Sequence, residues 1–141
     1  MKGRALLKTR EQSVLTFYEF AAINHRLSVI SDTWADLWTF LYFLPVGVGR
    51  IVRLRYSDIT VEHIIFVRRG RLKEKHLLTP LVIKKIIQRR RESYPEDIFV
   101  FQSHSNRVKA KKKPVTIIAF NRALKDASVG VTDHTVTSKC A

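Results

Sequence analysis

Between Trp34 and Leu44 the chain carries Trp34, Leu37, Trp38, Phe40, Leu41, Tyr42 and Leu44, which leave almost no polar side on a helix. A helix that is apolar all round has no face to give to water, so it belongs in the middle of a core with other elements packed about it. Ser31 or Asp32 supplies an N-cap, and Pro45 with Gly47 ends the helix. The longest apolar run, Leu37 to Val48, is too short for a bilayer, which takes about 20 residues, and Pro45 interrupts it. The segment therefore predicts a globular fold. A chain of 141 residues is long enough to supply the surrounding elements as one domain over residues 1–141.

Those elements can be placed in order. Residues 1–9 are short and basic, are expected to be flexible, and have no apolar stretch behind them to make a secretory signal. From Glu11 to about Asn24, Val14, Leu15, Tyr18, Phe20, Ala21 and Ala22 follow a loosely helical spacing, and His25 to Ile30 reads as a connector. Ile59 to Val67 has the composition of a strand, and Leu72 to Thr79 of a second one, across a glycine turn carrying three arginines, Arg68-Arg69-Gly70-Arg71. Thr79 as N-cap and Pro80 as first residue open the next helix, with Leu81, Ile83, Ile86 and Ile87 as its apolar part. Gln88 to Arg91 reads as the solvated end of that helix, favoured there by the helix dipole. Tyr94 to Asp97 is a solvated turn, Ile98 to Phe101 a short buried strand, and residues 104–114 a basic loop. Pro114 and Val115 then open a last helix through Ile117, Ile118, Phe120, Ala123, Leu124 and Ala127. The expected class is α+β, helices packed around a small antiparallel sheet.

The charge narrows the partner. Twenty-six Lys plus Arg against twelve Asp plus Glu give +14, well beyond what solubility requires. A polyanion is expected, and nucleic acid is the commonest one; RNA or an acidic protein is the alternative. The single cysteine, Cys140, excludes an internal disulfide and fits a reducing, cytoplasmic setting. The histidines His25, His63, His76, His104 and His134 are too dispersed for a metal motif, and no phosphate loop or dinucleotide fingerprint is present, so no cofactor is expected.

One stretch is more specific. In Gly47-Val48-Gly49-Arg50-Ile51-Val52-Arg53-Leu54-Arg55-Tyr56-Ser57-Asp58-Ile59, the residues Val48, Ile51, Val52 and Leu54 lie on one side of a short helix, with Arg50, Arg53 and Arg55 on the rest. Anchored on Leu54, Tyr56, Ser57, Asp58 and Ile59, it resembles the first conserved box of the tyrosine recombinase (phage integrase) catalytic domain, Gly-Leu-Arg-Ile-Ser-Glu-Leu-Leu-x-Leu-x-Trp-Ser-Asp-Ile. Leu7-Lys8-Thr9-Arg10-Glu11 is similar to that family's opening Leu-Thr-x-Glu-Glu. Ile98-Phe99-Val100-Phe101-Gln102-Ser103 is similar to its Tyr-Leu-Phe-Pro-Ser, and Pro114-Val115-Thr116 with Asn121-Arg122-Ala123-Leu124-Lys125 to its Pro-Leu-Ser-Arg-x-x-x-x-Arg-x-Leu-Lys. Thr132-Asp133-His134 resembles the start of its last box, Thr-x-His-x-Leu-Arg.

The resemblance implies the topology of that catalytic domain without its C-terminal helices, including a three-stranded sheet. It implies double-stranded DNA as partner, a role in or regulating DNA recombination or integration, and a bacterial, phage or plasmid origin on a mobile genetic element. A full-length recombinase or a second copy is a further expected partner, and no membrane is. His134 matches the family histidine, and Lys73 is the better match to the hairpin lysine that acts as general acid, with Lys75 close behind. The two catalytic arginine positions hold Gly47 and Thr137; a gap inside the helix would be needed to bring Arg50 into the first.

Attack on a phosphate concentrates charge on its non-bridging oxygens, and paired guanidinium groups are the side chains suited to hold it. Glycine and threonine cannot. The family's nucleophilic tyrosine follows this last box, whereas Tyr18, Tyr42, Tyr56 and Tyr94 all precede it. The expectation is a DNA-binding protein without catalysis; an active site-specific recombinase taking its tyrosine from a partner is the alternative. The residues expected on DNA are Arg50, Arg53, Arg68, Arg69, Arg71, Lys75, Arg107, Lys109, Lys111, Lys112, Lys113, Arg122 and Lys125. For the hairpin arginines, and for Arg122 and Lys125, simple solvated surface charge explains the sequence as well as phosphate contact does.

Overall fold

A computed structural model of the chain describes residues 15–104 and 112–140. The fold is α+β, as expected, with helices and a small antiparallel sheet. The described chain forms two compact units, one drawn from residues 15–51 and 116–140 and the other from residues 52–104 and 112–115.

The first unit is helical. Helix α1 (Phe17–Ile30) begins at a reciprocal cap, in which Thr16 Oγ1 accepts from the Glu19 N–H and the Glu19 carboxylate accepts from the Thr16 N–H. It buries Phe20, Ile23 and Leu27. This corrects the expected boundary: residues 25–30 are helical, because Leu27 continues the buried stripe and Ser31 is the first residue to leave helical geometry. The part of the expected helix before Leu15 lies outside the described residues. Ser31 then caps α2 (Asp32–Phe43), accepting from the Thr33 N–H.

Helix α2 fulfils the expectation drawn from its composition. Leu37, Trp38 and Phe40 are wholly buried and Leu41 nearly so. Trp38 donates its indole N–H to the Phe20 carbonyl at 3.1 Å, and its ring stacks on Phe20 with centroids 5.3 Å apart. Asn24 of α1 donates to Ala35 O and Thr39 Oγ1 of α2, tying the two helices by polar contacts as well.

Helix α3 (Val48–Val52) follows the Pro45–Gly47 break. The last helix, α5 (Ile117–Ala127), buries Phe120, Ala123, Leu124 and Ala127, an i, i+3, i+4, i+7 stripe. It packs on α1, where Arg26 donates to the carbonyls of Ala127 and Val129, and it sets Phe120 against Trp34 and Trp38 of α2. Thr116 caps it, so Pro114 and Val115 precede the helix rather than open it. Val115 instead donates to the Phe101 carbonyl in an extended pairing.

In the second unit, strands β1 (His63–Phe66) and β2 (Lys75–Leu78) pair antiparallel with Ile64 opposite Leu77 and Phe66 opposite Lys75. Among the described residues the sheet has two strands, where the resemblance implies three. The segment expected as a buried strand, Ile98 to Phe101, makes a single bridge between Phe99 and Arg55 and then turns. The cause is Gln102, whose side-chain carbonyl accepts from the N–H groups of Ile98 and Phe99 and so offers them a local partner in place of a ladder.

Helix α4 (Leu81–Ser93) starts one residue later than expected. Thr79 donates its N–H to the Glu62 carbonyl and is still held in the strand pairing, so Pro80 takes the cap position and the Thr79 hydroxyl caps nothing. No helix among the described residues is long and apolar enough to cross a membrane.

Candidate nucleic-acid interface

The hairpin is closed by the turn Arg69-Gly70-Arg71-Leu72, where Arg69 and Leu72 exchange N–H and carbonyl hydrogen bonds. Gly70 has φ +56° and Arg71 does not share the positive value, an arrangement that suits glycine at the first central position of a hairpin turn. The Arg69–Leu72 bridge preserves the register of the strands, so Arg68 stands opposite Lys73. Strand alternation then puts Arg68, Lys73 and Lys75 on the side of Ile64 and Phe66, and Arg69 on the opposite side. Arg68, Arg69, Arg71 and Lys73 are all exposed, whereas Lys75 is half-buried opposite Phe66. Of the two hairpin lysines, Lys73 is thus the one at the solvent-facing tip. Glu74, between the two lysines, meets His76 Nε2 at 2.7 Å.

The other expected contacts are spread out. Arg53 is exposed just after α3. Lys112 and Lys113 are exposed, with Lys112 donating to the Glu96 carbonyl at 2.8 Å. Arg107, Lys109 and Lys111 lie outside the described residues. In the helical unit, Arg122 and Lys125 occupy the exposed side of α5, and Arg50 is half-buried on α3.

The catalytic candidates fall in different units. Lys73 belongs to the hairpin and His134 to the segment after α5. That segment is held by buried Val136 and by Ser138, whose N–H donates to Asn121 of α5 at 2.9 Å. His134 itself is exposed and faces the start of α1, where its charge acts on Glu19. The hydrogen bond from the Thr16 N–H, together with the Thr16 and Thr132 hydroxyls and His134, holds the Glu19 carboxyl below the usual carboxylate range. Thr137 is engaged locally, accepting from the Lys139 N–H. A side chain at Gly47 would enter open space, but none is there to supply a cation.

Two features escaped the sequence reading. The stretch taken as a solvated helix end contains Arg90, which is wholly buried. It donates from Nε to the Val100 carbonyl at 2.8 Å and lies over the rings of Tyr94 and Phe101, at 5.3 and 5.2 Å. The signal was available, since Arg90 continues the buried series Ile83, Ile86 at helical spacing. Beyond it, Asp97 is buried instead of solvated; it accepts from the Gln102 amide at 3.0 Å and meets His104 Nε2 at 2.7 Å, while the His104 ring stacks on Tyr94. With Nε2 engaged, His104 keeps Nδ1 as its remaining polar atom.

The second feature is an open groove of about 780 Å³ beside α4. Ile59, Val61 and Ile87 make part of its wall apolar; Tyr56, Thr79, Lys84, Gln88 and Arg91 bring polar atoms to it, as does Glu92, whose carboxylate accepts from the Gln88 amide at 3.3 Å. Arg91 lies over the Tyr56 ring at 4.5 Å and donates to the Asp97 carbonyl at 2.6 Å. No protein-family model matches this chain, and no curated protein matches its sequence.

Proposed function

We propose that the chain is a double-stranded DNA-binding protein of tyrosine-recombinase type that acts in or regulates recombination or integration without cleaving DNA itself. The observation that carries the reading is the hairpin tip, where Arg68, Arg69, Arg71 and Lys73 stand exposed within one turn. Clustered exposed cations on a hydrogen-bonded hairpin turn suit phosphate contact, and the net charge of +14 favours a polyanion over a neutral partner. The resemblance of Val48 to Ile59 to the recombinases' first box supports that type.

The absence of catalysis rests on chemistry. With Gly47 and Thr137 at the arginine positions, the site lacks the charged donors that a pentavalent phosphate needs, and loss of even one preorganised donor costs about 10² to 10³ in rate. A full-length recombinase, or a second copy of this chain, is the protein partner the reading names.

The test is duplex binding across a salt series. Each phosphate neutralised contributes about −0.9 to the slope of log K against log salt, so replacing Arg68, Arg69 and Arg71 with alanine is expected to flatten the slope by up to about 2.7. A parent slope near zero, or a slope unchanged in the triple variant, overturns the assignment of the tip. A covalent adduct on nicked duplex would overturn the inactive reading.

A further inference from the structure

The groove beside α4 is built from residues that the hairpin reading does not use. Thr79 is buried, and its hydroxyl has no hydrogen-bond partner among the described residues. Burying an unmatched hydroxyl is unfavourable, and a ligand atom able to donate or accept would remove the penalty. Arg91 adds a cation of unusual setting. It donates to the Asp97 carbonyl, its guanidinium lies over the Tyr56 ring at 4.5 Å, and among the described residues no carboxylate pairs with it. Lys84, two turns earlier on the same side of α4, differs in being paired with Glu62 at 3.3 Å. Between the two, Ile87 with Ile59 and Val61 offers an aliphatic wall.

These elements select a ligand with a flat apolar body, a hydrogen-bonding edge and one anionic group. An extended acidic peptide fits poorly, because its amide groups would meet the aliphatic wall without partners. We propose that the groove receives one unstacked nucleotide, its base against Ile59, Val61 and Ile87, a base-edge atom on Thr79 Oγ1, and its phosphate on the Arg91 guanidinium. A base laid on an aliphatic wall with a planar guanidinium fork on its phosphate suits an unpaired nucleotide, whose face and edge are both free. The inference rests on the nucleic-acid reading above for the source of the nucleotide, and on the groove's own residues for the site.

The experiment titrates the isotope-labelled full chain with AMP, UMP, dAMP and dTMP to about 10 mM, a range that captures weak single-nucleotide binding, and follows the amide signals of residues lining the groove. Saturable shifts there are expected for nucleotides and not for inorganic phosphate. Thr79→Val, which replaces the unmatched hydroxyl with a methyl group, is expected to leave the thermal midpoint unchanged or raised while weakening nucleotide binding by about 5-fold or more. Arg91→Lys keeps the charge, loses the fork, and is expected to weaken it by a similar factor.

A ribose preference assigns RNA as the source; equal affinity for both sugars assigns the contacts to base and phosphate. No saturable shift with any nucleotide, equal response to phosphate alone, or unchanged affinity in both variants overturns the site. Duplex affinity is measured on the same samples. Nucleotide binding without duplex binding would sink the double-strand reading and leave the groove standing, and the reverse result would sink the groove alone.

Discussion

Arg90 and its neighbours show how far one residue's position on a helix decides its role. Arg89 and Arg91 are exposed, yet Arg90 is buried with its Nε on the Val100 carbonyl and its plane over two aromatic rings. Removing it would leave a cavity and an unmatched carbonyl, so Arg90→Ala is expected to cost about 2–4 kcal/mol in urea unfolding, against less than about 0.5 for Arg89→Ala. Equal midpoints for the two would contradict this account. Composition hid the residue, because a run of basic side chains reads as solvated; the spacing from Ile83 and Ile86 would have exposed it. The contacts of Asp97 with Gln102 and His104 were not legible, since they depend on a turn whose hydrogen bonds are made by side chains. Glu19 adds a pH effect. Its folded value is held below the ordinary 4.5, so its contribution is complete above that pH and is lost as pH falls through the folded value. The thermal midpoint of Glu19→Gln should therefore fall less than that of the parent on acidification below 4.5.

At the scale of elements, local chemistry set the boundaries that periodicity missed. The capping pair Thr16 and Glu19 starts α1, and Thr16→Ala is expected to cost about 1 kcal/mol, read as a lower melting temperature. In the hairpin, Gly70 holds φ +56° with open space where a Cβ would sit, so Gly70→Ala meets backbone strain and no clash, at about 1 kcal/mol or more. Helix α2 was legible almost completely, because an element apolar on all sides has one place to go. The strands were legible as a hairpin but too long at both ends, and the Ile98 to Phe101 segment differs from the expected strand because Gln102, the next residue, takes N–H groups a ladder would need. The start of α4 shifted for a similar reason: Thr79 spends its N–H on Glu62. The groove was not legible, since it arises where the chain between α3 and β1, Thr79 after β2 and one side of α4 meet.

For the molecule as a whole, a net charge of +14 on 141 residues is a standing repulsion in the folded state. Screening should relieve it, and raising salt from about 20 to about 200 mM is expected to raise the melting temperature by about 2–5 °C while weakening any duplex complex. A midpoint that does not move would mean that ion pairs and local contacts already absorb the charge. The placement of arginines also has a consequence for proteolysis. Trypsin cleaves after the same side chains that make the hairpin tip cationic, so among the described residues the bonds after Arg68, Arg69, Arg71 and Lys73 stand open to attack, whereas the bond after Arg90 opens only when its surroundings unfold. The tip is thereby its own footprint: a bound duplex would leave it uncut.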